Sequence, residues 1–404
     1  MPATKPALAA PRLQSIDLLR GAVMLLMVID HVRVYAGVPA GGPTAGVFFT
    51  RWVTHFCAPA FLFLAGTSAY LSGLRLASRA QLSRRLLLRG LGLVVLELTA
   101  MRFFWTFNFD YAHYSLAGVI WAIGWCMVLM AALVWLPDGA VAALGLTIVL
   151  GHNLMDSAPQ LAERMFASPF ARLWTFLYFG GEANLGSDRL PVIVLYSIVP
   201  WIGVMACGYA FARVLLLEPE RRRRACLAIG LGAVAAFLLL RGFDLYGDPR
   251  PWRSARPEMP PLFAFLATTK YPASLLFLLM TLGPSIALMP ALEKARGRVA
   301  YWVATIGKVP LFFYVLHIPL IHVAAIVVSL LRTGAVDPWL FANFPAAPPP
   351  PPEGYTWSLP LLYLVAAVVC VLLYFPCRWY ATRRSRARGT GLAPGAGVAA
   401  SPAT

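Results

Sequence analysis

The sequence predicts an all-α fold, a polytopic integral membrane bundle of about ten transmembrane helices with both termini in the cytoplasm. Three observations support this prediction. Of the 404 residues, 59% are hydrophobic and only 13% are charged, whereas soluble domains carry about 25% charged residues. The apolar residues form long continuous runs of roughly 20, the length needed to cross a bilayer. Lysine and arginine are also distributed unequally between the segments that join these runs.

Only helices and closed barrels satisfy every backbone polar group within lipid. The apolar runs are continuous rather than alternating, which favours helices over a barrel. The predicted helices lie near residues 16–36, 56–74, 86–107, 116–136, 139–155, 191–216, 225–243, 271–292, 309–331 and 359–380. Residues 15–382 therefore form one predicted membrane domain. It is flanked by a cytoplasmic tail at 1–14 and a basic, Ala/Pro-rich cytoplasmic tail at 383–404 that we expect to be disordered.

The distribution of basic residues predicts the orientation. With the N-terminus in the cytoplasm, the cytoplasmic segments hold 20 of the 34 lysines and arginines. The opposite side holds 12 although its loops are much longer, and Arg20 and Arg213 lie within helices. Cytoplasmic loops are enriched in positive residues, so both termini are predicted to be cytoplasmic and the number of spans even. The expected location is the bacterial cytoplasmic membrane, with membrane lipid around the chain.

The net charge of +17 also raises the question of nucleic-acid binding. In a membrane protein such a charge reflects basic cytoplasmic loops, so no nucleic-acid partner is expected. The six cysteines have no CxxC or other metal-like spacing and are interpreted as small core residues. No cleavable signal peptide is expected, because no convincing small-residue cleavage site follows the first apolar run. The oligomeric state is left open, including a homo-oligomer.

The first predicted helix carries a polar stripe. Asp17, Arg20, Met24, Met27 and His31 recur at spacings of three and four residues, so they share one helix face. Charged groups within a membrane are costly and are a functional hypothesis by default. This face is therefore expected to point into the bundle.

Two interpretations stay open at each end of this helix. Asp17 and Arg20 are either a structural ion pair near the cytoplasmic end or part of a functional site. At the external end, Asp30 is placed to orient the His31 imidazole, the arrangement that a general base needs. The alternative is that Asp30, His31 and Arg33 are helix-end polar groups that reach for water.

The histidines are the second signal. In the predicted orientation none of the six is cytoplasmic: they are His31, His55, His113, His152, His317 and His322. Histidine accepts and returns protons near neutral pH, so a catalytic or proton-handling cavity that opens outward is predicted. We expect Asp30, His31, His55 and His317 to approach one another across the helices. A metal site is the rival interpretation, but no HxxxH or HExxH spacing is present, and no metal is expected.

Two more polar features lie inside predicted helices. Glu97 needs a partner or a neutral state, and is either a proton relay or a buried, hydrogen-bonded acid. In FYVLHIPLIH, Pro319 removes its own hydrogen bond to the Val315 carbonyl and kinks the helix. That carbonyl lies two residues before His317, which suggests a device for placing a ligand. The alternative is an ordinary transmembrane proline.

Seven segments of the chain resemble one family. They are SIDLLRGAVMLLMVIDHVR, RWVTHFCAPAFLFLAGTSAYL, ELTAMRFFWTFNFDY, VIWAIGWCMVLMAALVWLP, GHNLMD, TTKYPASLLFLLMTLGP and FFYVLHIPLIH. They are similar to the prokaryotic membrane proteins related to heparan-alpha-glucosaminide N-acetyltransferase, from about Arg12 to Arg384. The opening IDLLRG and the PxFxFLAGTS turn into the second helix are the most useful marks.

The resemblance implies an enzyme that takes acetyl from cytosolic acetyl-CoA, its co-substrate, and delivers it to an amino sugar or glycan outside. The eukaryotic relative uses a histidine of the first non-cytoplasmic loop. That position falls near Ala45 here, so the functional histidine does not carry over residue for residue. His31 and His55 take its place by position, with Asp30 and His317 completing the predicted catalytic set. The HIPL string also resembles membrane acyltransferases that modify cell-surface sugars.

No phosphate-cradling glycine loop is visible, so a donor site would be built from basic cytoplasmic loops and helix ends. The predicted donor-binding residues are Arg20, Arg84 and Arg85, and the basic run Arg221 to Arg224 is a further candidate. The alternative is ordinary positive-inside charge without a ligand. For function, an N- or O-acyltransferase is predicted. A sugar or lipid transporter or flippase without acyltransferase activity is the second hypothesis, and a scaffold or signalling protein the third.

Overall fold

A computed structural model describes residues 13–184, 191–254 and 258–389. The described residues form helices over most of their length, joined by short 3-10 and π-helical turns. The helices are α1 (Gln14–Tyr35), α2 (Ala45–Trp52), α3 (Cys57–Gly73), α4 (Arg79–Leu96), α5 (Arg102–Thr106), α6 (Val119–Leu133), α7 (Asp138–Gly151), α8 (Pro159–Phe166), α9 (Ala171–Trp174), α10 (Ile198–Leu215), α11 (Pro219–Gly242), α12 (Pro261–Leu266), α13 (Leu275–Lys294), α14 (Arg298–Gly307), α15 (Pro310–Thr333) and α16 (Leu359–Gly389).

Seven helices of the described chain are long and apolar enough to cross a membrane. They are Ala45–Gly73, Asp138–Asp156, Ile198–Leu215, Pro219–Gly242, Leu275–Lys294, Pro310–Thr333 and Leu359–Arg386. Helices also form at the other three predicted places, but α1 carries four charged residues, α4 is rich in arginine, and α6 has only 15 residues. The chain is thus a helical integral membrane protein. The count of about ten spans and the cytoplasmic termini stay predictions.

The tails predicted from the sequence lie mostly outside the described residues, namely 1–12 and 390–404. The boundary predicted at residue 382 is not a break in the structure, because α16 continues to Gly389. The last turns of α16 are rich in arginine and follow its apolar part. Arginine is a good helix former, so the helix can continue past its last apolar residues.

A small sheet departs from the all-α prediction. Strands β1 (Ser115–Ala117), β2 (Gly181–Asn184) and β3 (Pro191–Val194) form a sheet in the order β1-β3-β2. β3 pairs parallel with β1 and antiparallel with β2. The helix predicted from residue 191 is therefore wrong in its first turns, and α10 begins at Ile198. Periodicity alone does not separate a short apolar strand from the start of a buried helix.

Helix α1 lies inside the bundle, in contact with α3, α13, α14, α15 and α16. Glycines allow it to touch α14 backbone to backbone. A Cβ on Gly21 would lie 2.1 Å from the Val303 carbonyl oxygen, and one on Gly307 would lie 1.9 Å from the backbone carbonyl oxygen of Asp17. Small residues permit such close helix packing in membranes. Burial of α1 on all sides explains why its polar stripe avoids lipid.

A second glycine contact joins α3 to α10. A Cβ on Gly66 would lie 1.9 Å from the Met205 carbonyl oxygen, and one on Gly208 would lie 2.0 Å from that of Phe63. The Thr67 hydroxyl donates to the Gly208 carbonyl at 2.8 Å. The glycine of IDLLRG and the Gly-Thr pair of PxFxFLAGTS are thus packing residues that hold the helices around the site.

Candidate active site

The first feature of the site is a pair of histidines from α1 and α15. His31 Nδ1 and His317 Nε2 are 2.7 Å apart, and the two rings stack with their centroids 4.9 Å apart. His317 is fully buried, while His31 is half-buried and packs its ring against Trp105. The predicted approach of these two residues is confirmed. It depends on the inward-facing stripe of α1, because His31 shares that face.

The hydrogen bonds determine which nitrogens carry protons. His317 Nδ1 lies 2.5 Å from the Tyr314 carbonyl oxygen, and a carbonyl only accepts, so this nitrogen is the donor. With both imidazoles neutral, His317 Nε2 is then an acceptor, and His31 Nδ1 donates to it. The proton-free nitrogen of His31 is therefore Nε2, which has no hydrogen bond within the described chain. The arrangement leaves His31 Nε2 available to accept a proton.

Asp30 does not orient the His31 imidazole as the sequence predicted. Its two carboxylate oxygens bind Arg33 Nε at 3.0 Å and Arg51 Nη1. Consecutive helical residues point about 100° apart, so Asp30 turns toward Arg33 while His31 turns toward α15. The orienting group of His31 is His317, which lies 286 positions away in the chain.

The other histidines differ from His31 in their surroundings. His55 packs against the Phe277 ring, and its buried Nδ1 has no hydrogen-bond partner in the structure. His113 is exposed and bonds Asp110. Both ring nitrogens of His152 face backbone carbonyls, those of Ile148 and Ala273. Among the described residues, His55 and His152 have no neighbouring side chain that would prepare the ring as an accessible base. His113 does have one, Asp110 at 2.7 Å, but both side chains are exposed and take no part in the histidine pair. His322 Nδ1 faces the Phe104 carbonyl oxygen at 3.2 Å.

The second feature is a large cavity. About 980 Å³ of space lies between α1, α3, α4, α6, α15 and α16. Basic side chains line it in the middle of α4, just before α15 and near the end of α16, namely Arg85, Arg89, Lys308 and Arg384. The far end is apolar, with Met24, Phe61, Leu96, Val119 and Val315. In the predicted orientation the basic mouth faces the cytoplasm.

Some of the predicted donor-binding residues line the cavity, and others lie on the surface of the protein. Arg85 and Arg20 line the cavity, and Arg20 is also held by Asp17 at 3.9 Å, by Ser68 at 2.8 Å and by the Gly307 carbonyl. The predicted Asp17–Arg20 ion pair is confirmed. Arg84 is exposed and lies outside the cavity wall, because it precedes Arg85 by one position on the helix and faces another direction.

The basic run after α10 also lies elsewhere. Arg222 binds Glu293 and so ties α11 to α13. Arg223 and Arg224 bind Glu220 within α11 itself, at 3.5 and 3.1 Å. Arg89, Lys308 and Arg384 were not among the predicted donor-binding residues. The spacing of four between Arg85 and Arg89 was a usable signal on a helix. Lys308 and Arg384 come from distant segments, and only the fold brings them to the same mouth.

Glu97 lies beside the apolar end of the cavity, next to Leu96. It begins a π-helical turn, Glu97–Met101, a feature that often marks functional positions. The side chain is 2% exposed, it receives a hydrogen bond from the Gly118 amide, and its Oε2 has no partner in the structure. The geometry fits a buried acid that is partly hydrogen-bonded, and no chain of hydrogen bonds joins it to His31.

The cavity and the histidine pair are close neighbours along two helices. On α15, the lining residues Tyr314 and Val315 directly precede His317. On α1, the lining residue Met24 precedes His31 by about two helical turns. Tyr314 belongs to both features, because it lines the cavity and its backbone carbonyl accepts a hydrogen bond from His317 Nδ1. The histidine pair therefore lies just beyond the inner end of the cavity.

The helices of this membrane protein enclose a cavity with a basic mouth, and a histidine pair lies beyond the inner end of that cavity. These features define a membrane protein with an internal polar site. The family model for heparan-alpha-glucosaminide N-acetyltransferase, catalytic, matches residues 12–243, more than half of the chain, and the protein belongs to that family. The resemblance predicted from the sequence is confirmed over these residues. The match includes His31, His55 and the predicted arginines, but His317 lies beyond it. No curated protein matches the chain significantly.

Proposed function

We propose that the protein is a transmembrane acetyltransferase that moves acetyl from cytosolic acetyl-CoA to an amino sugar or glycan on the extracytoplasmic side of the bacterial cytoplasmic membrane. The observation that carries the proposal is the oriented His31–His317 pair just beyond the inner end of a basic-mouthed cavity. Family membership supports acetyl transfer. The orientation rests on the positive-inside distribution of the loops.

The cavity suits an elongated anionic acyl donor. Arg85, Lys308 and Arg384 at the mouth supply charged donors for phosphate groups. The apolar interior between Phe61, Leu96 and Val119 suits a thin, mostly uncharged arm. Acetyl-CoA supplies an activated acetyl group when bound. The protein's own contribution is to hold the phosphates at one end and to exclude water at the other.

The histidine pair supplies the base. His31 Nε2 would accept a proton from the amine or hydroxyl of the acceptor as that group attacks the acetyl carbonyl carbon. The thioester C–S bond would then break, and the CoA thiolate would leave and take up the proton from the His31 imidazolium. His31 Nδ1 keeps its hydrogen bond to His317, and the Tyr314 carbonyl fixes His317 in turn. This chain holds the tautomer that leaves Nε2 free and stabilises the imidazolium that forms. His55 has no comparable orienting group.

The test is acetyl transfer by the purified protein in detergent. Radiolabelled acetyl-CoA is incubated with wild type and with variants in the presence of amino sugars, and labelled product is measured. His31→Ala should lower the rate by about 10²–10⁴-fold, the usual contribution of a positioned general base. His113→Ala, which removes an exposed histidine, should keep the wild-type rate. Protein yield and monodispersity are compared for all variants.

Two outcomes contradict the proposal. A full rate for His31→Ala together with a large loss for His55→Ala would move the base to His55. If the wild type transfers no acyl group from any acyl-CoA but carries a labelled sugar across a vesicle membrane, the protein is a transporter.

A further inference from the structure

A second polar cluster lies at the same end of α1 as His31, and it holds more positive than negative charge. Arg33, Arg51 and Lys270 are its cations and Asp30 is its carboxylate. Both oxygens of Asp30 are already bound, one by Arg33 and the other by Arg51. Lys270 is only 8% exposed and has no acidic group within ion-pair distance in the described chain. The cluster thus carries a formal surplus of two positive charges.

Lys270 faces aromatic rings instead of a carboxylate. Its ammonium lies 5.2 Å from the Tyr271 ring centre and 5.9 Å from that of Tyr196, contacts that offset only part of the cost of burying a charge. His55 lies within electrostatic range of Lys270 and Arg51, and its buried Nδ1 has no hydrogen-bond partner. A buried cation and a buried ring nitrogen therefore both have unused hydrogen-bonding capacity here.

The cluster is open on one side. Tyr271 is 38% exposed, while its neighbour Lys270 is almost covered. Tyr271 packs edge-on against Tyr196, with ring centres 5.4 Å apart, and Tyr196 packs against Trp201. Aromatic rings beside a cation are a common lining for sugar-sized ligands with a charged group. The exposed Tyr271 is thus the side chain next to Lys270 that a ligand could contact from solvent.

We propose that this cluster is a subsite for an anionic group, a carboxylate or a phosphate, carried by the sugar acceptor, with Lys270 as its anchor. The inference rests on the proposed acetyl transfer, because it names the acceptor class for that reaction. A carboxylate would neutralise half of the surplus charge and a phosphate about all of it. Either group would give the Lys270 ammonium the charge-assisted partner that it lacks. Lys270, Arg33 and Arg51 all lie within electrostatic range of His31, so an acceptor held here has its reactive amine or hydroxyl close to the base. Lys270 lies outside the residues matched by the family model.

The experiment compares acceptors that differ only by an anionic group. Glucosamine is compared with glucosamine 6-phosphate and with its 6-carboxylate analogue, in neutral detergent free of anionic lipid. For the wild type, kcat/KM should be at least about tenfold higher for both anionic sugars, through a lower KM, since a charged hydrogen bond is worth about that factor. Lys270→Met should abolish the preference and spare glucosamine, and Lys270→Arg should restore most of it. Lys294→Met, at an exposed lysine, is the matched control.

A wild type that acetylates all three sugars equally, or a Lys270→Met variant that loses activity on all three in proportion, overturns the subsite. A preference for only one anionic sugar supports the subsite and identifies the group. Binding without acetyl-CoA, measured by calorimetry with glucosamine 6-phosphate, separates the two proposals. If no acetyl transfer occurs but binding still depends on Lys270, the anionic subsite holds and the proposed function fails.

Discussion

His31 and His317 are 286 positions apart in the chain, yet their ring nitrogens are 2.7 Å apart inside the bundle. The contact joins the first helix, which carries the polar stripe, to α15, whose Pro319 follows His317 by two residues. It also assigns unequal roles to the two rings. His31 is half-buried and can meet a substrate, whereas His317 is fully buried and acts only through its partner.

The first prediction follows from that inequality. His317→Ala should lower acetyl transfer by less than His31→Ala, about 10- to 100-fold, because the base remains but loses its fixed tautomer and the stabilisation of its imidazolium. The pH–rate profile should also shift, which a purely structural defect would not cause. The profile is measured for wild type, His317→Ala and His317→Gln. An unchanged profile with an unchanged rate would show that His317 does not orient the base.

The second prediction concerns the mouth of the cavity. Arg85→Gln should raise the KM for acetyl-CoA by about tenfold with little change in kcat, because a charge-assisted contact to a phosphate is lost. Arg84→Gln is the matched control, since Arg84 adjoins Arg85 in sequence but is exposed outside the cavity. Steady-state kinetics over a range of acetyl-CoA concentrations give both constants. Equal effects of the two variants would mean that only the general surface charge matters.

The third prediction concerns pH and the anionic subsite. Burial raises the pKa of Tyr271, but Lys270 and Arg51 and a hydrogen bond with Tyr196 outweigh burial and lower it to about 8. Asp30 is the other charged group in range and acts in the opposite direction. Below pH 8 the phenol is neutral, and above it the phenolate cancels part of the positive surplus. The preference for anionic acceptors should therefore decline as pH rises through about 8.

Tyr271→Phe is the control for this effect, because it removes the titrating hydroxyl and keeps the ring. The variant should keep its anion preference at pH 9, measured as the ratio of kcat/KM for glucosamine 6-phosphate and glucosamine. If wild type and Tyr271→Phe decline together, another group is responsible.

The fourth prediction tests the glycine contact between α3 and α10. Gly66→Ala should destabilise the protein by about 1–3 kcal/mol, the usual cost of overpacking, because its Cβ would overlap the Met205 carbonyl oxygen. Gly232→Ala is the matched control, since Gly232 is also in a helix but an added Cβ would have open space around it. Melting temperatures in detergent should fall for the first and stay the same or rise for the second. Equal melting temperatures would contradict the contact.

The fifth prediction is the topology. A reporter that is active only in the cytoplasm should give signal when fused after Thr404, because of the asymmetry of 20 against 12 basic residues. The same reporter inserted in residues 244–270 should be silent. The reverse pattern would place the cavity mouth outside and exclude cytosolic acetyl-CoA as its ligand.

The sequence predicted the positions of the helices better than it predicted which side chains meet between them. Composition and apolar runs located every long helix, since burial in lipid requires about 20 apolar residues in a row. The spacing of three and four showed that His31 lies on the buried stripe of α1. No local pattern, however, shows which residue of α15 comes opposite, because that depends on the relative register of two helices. The choice of Asp30 as orienting group relied on adjacency in sequence, which in a helix separates side chains.

The charged cluster shows the same limit. Lys270 lies in a loop, where a lysine normally reaches solvent. Its burial against Tyr196 follows from the packing of two segments that are distant in the sequence. The short strands had a related difficulty. Val192, Ile193 and Val194 suit a strand as well as an apolar helix, and their pairing with Ser115–Ala117 decides the outcome.

The double role of Tyr314 affects how thick a barrier the protein presents. A bilayer opposes polar groups over about 30 Å of hydrocarbon. Here the cavity wall and the histidine pair are separated by roughly 5 Å along α15, from Tyr314 to His317, and by roughly 10 Å along α1, from Met24 to His31. In the predicted orientation, the partition between the cavity and the histidine pair is therefore about 5–10 Å thick, much thinner than the hydrocarbon layer of a bilayer. Chemistry across such a partition needs no carrier cycle in which whole helices swing from one side to the other.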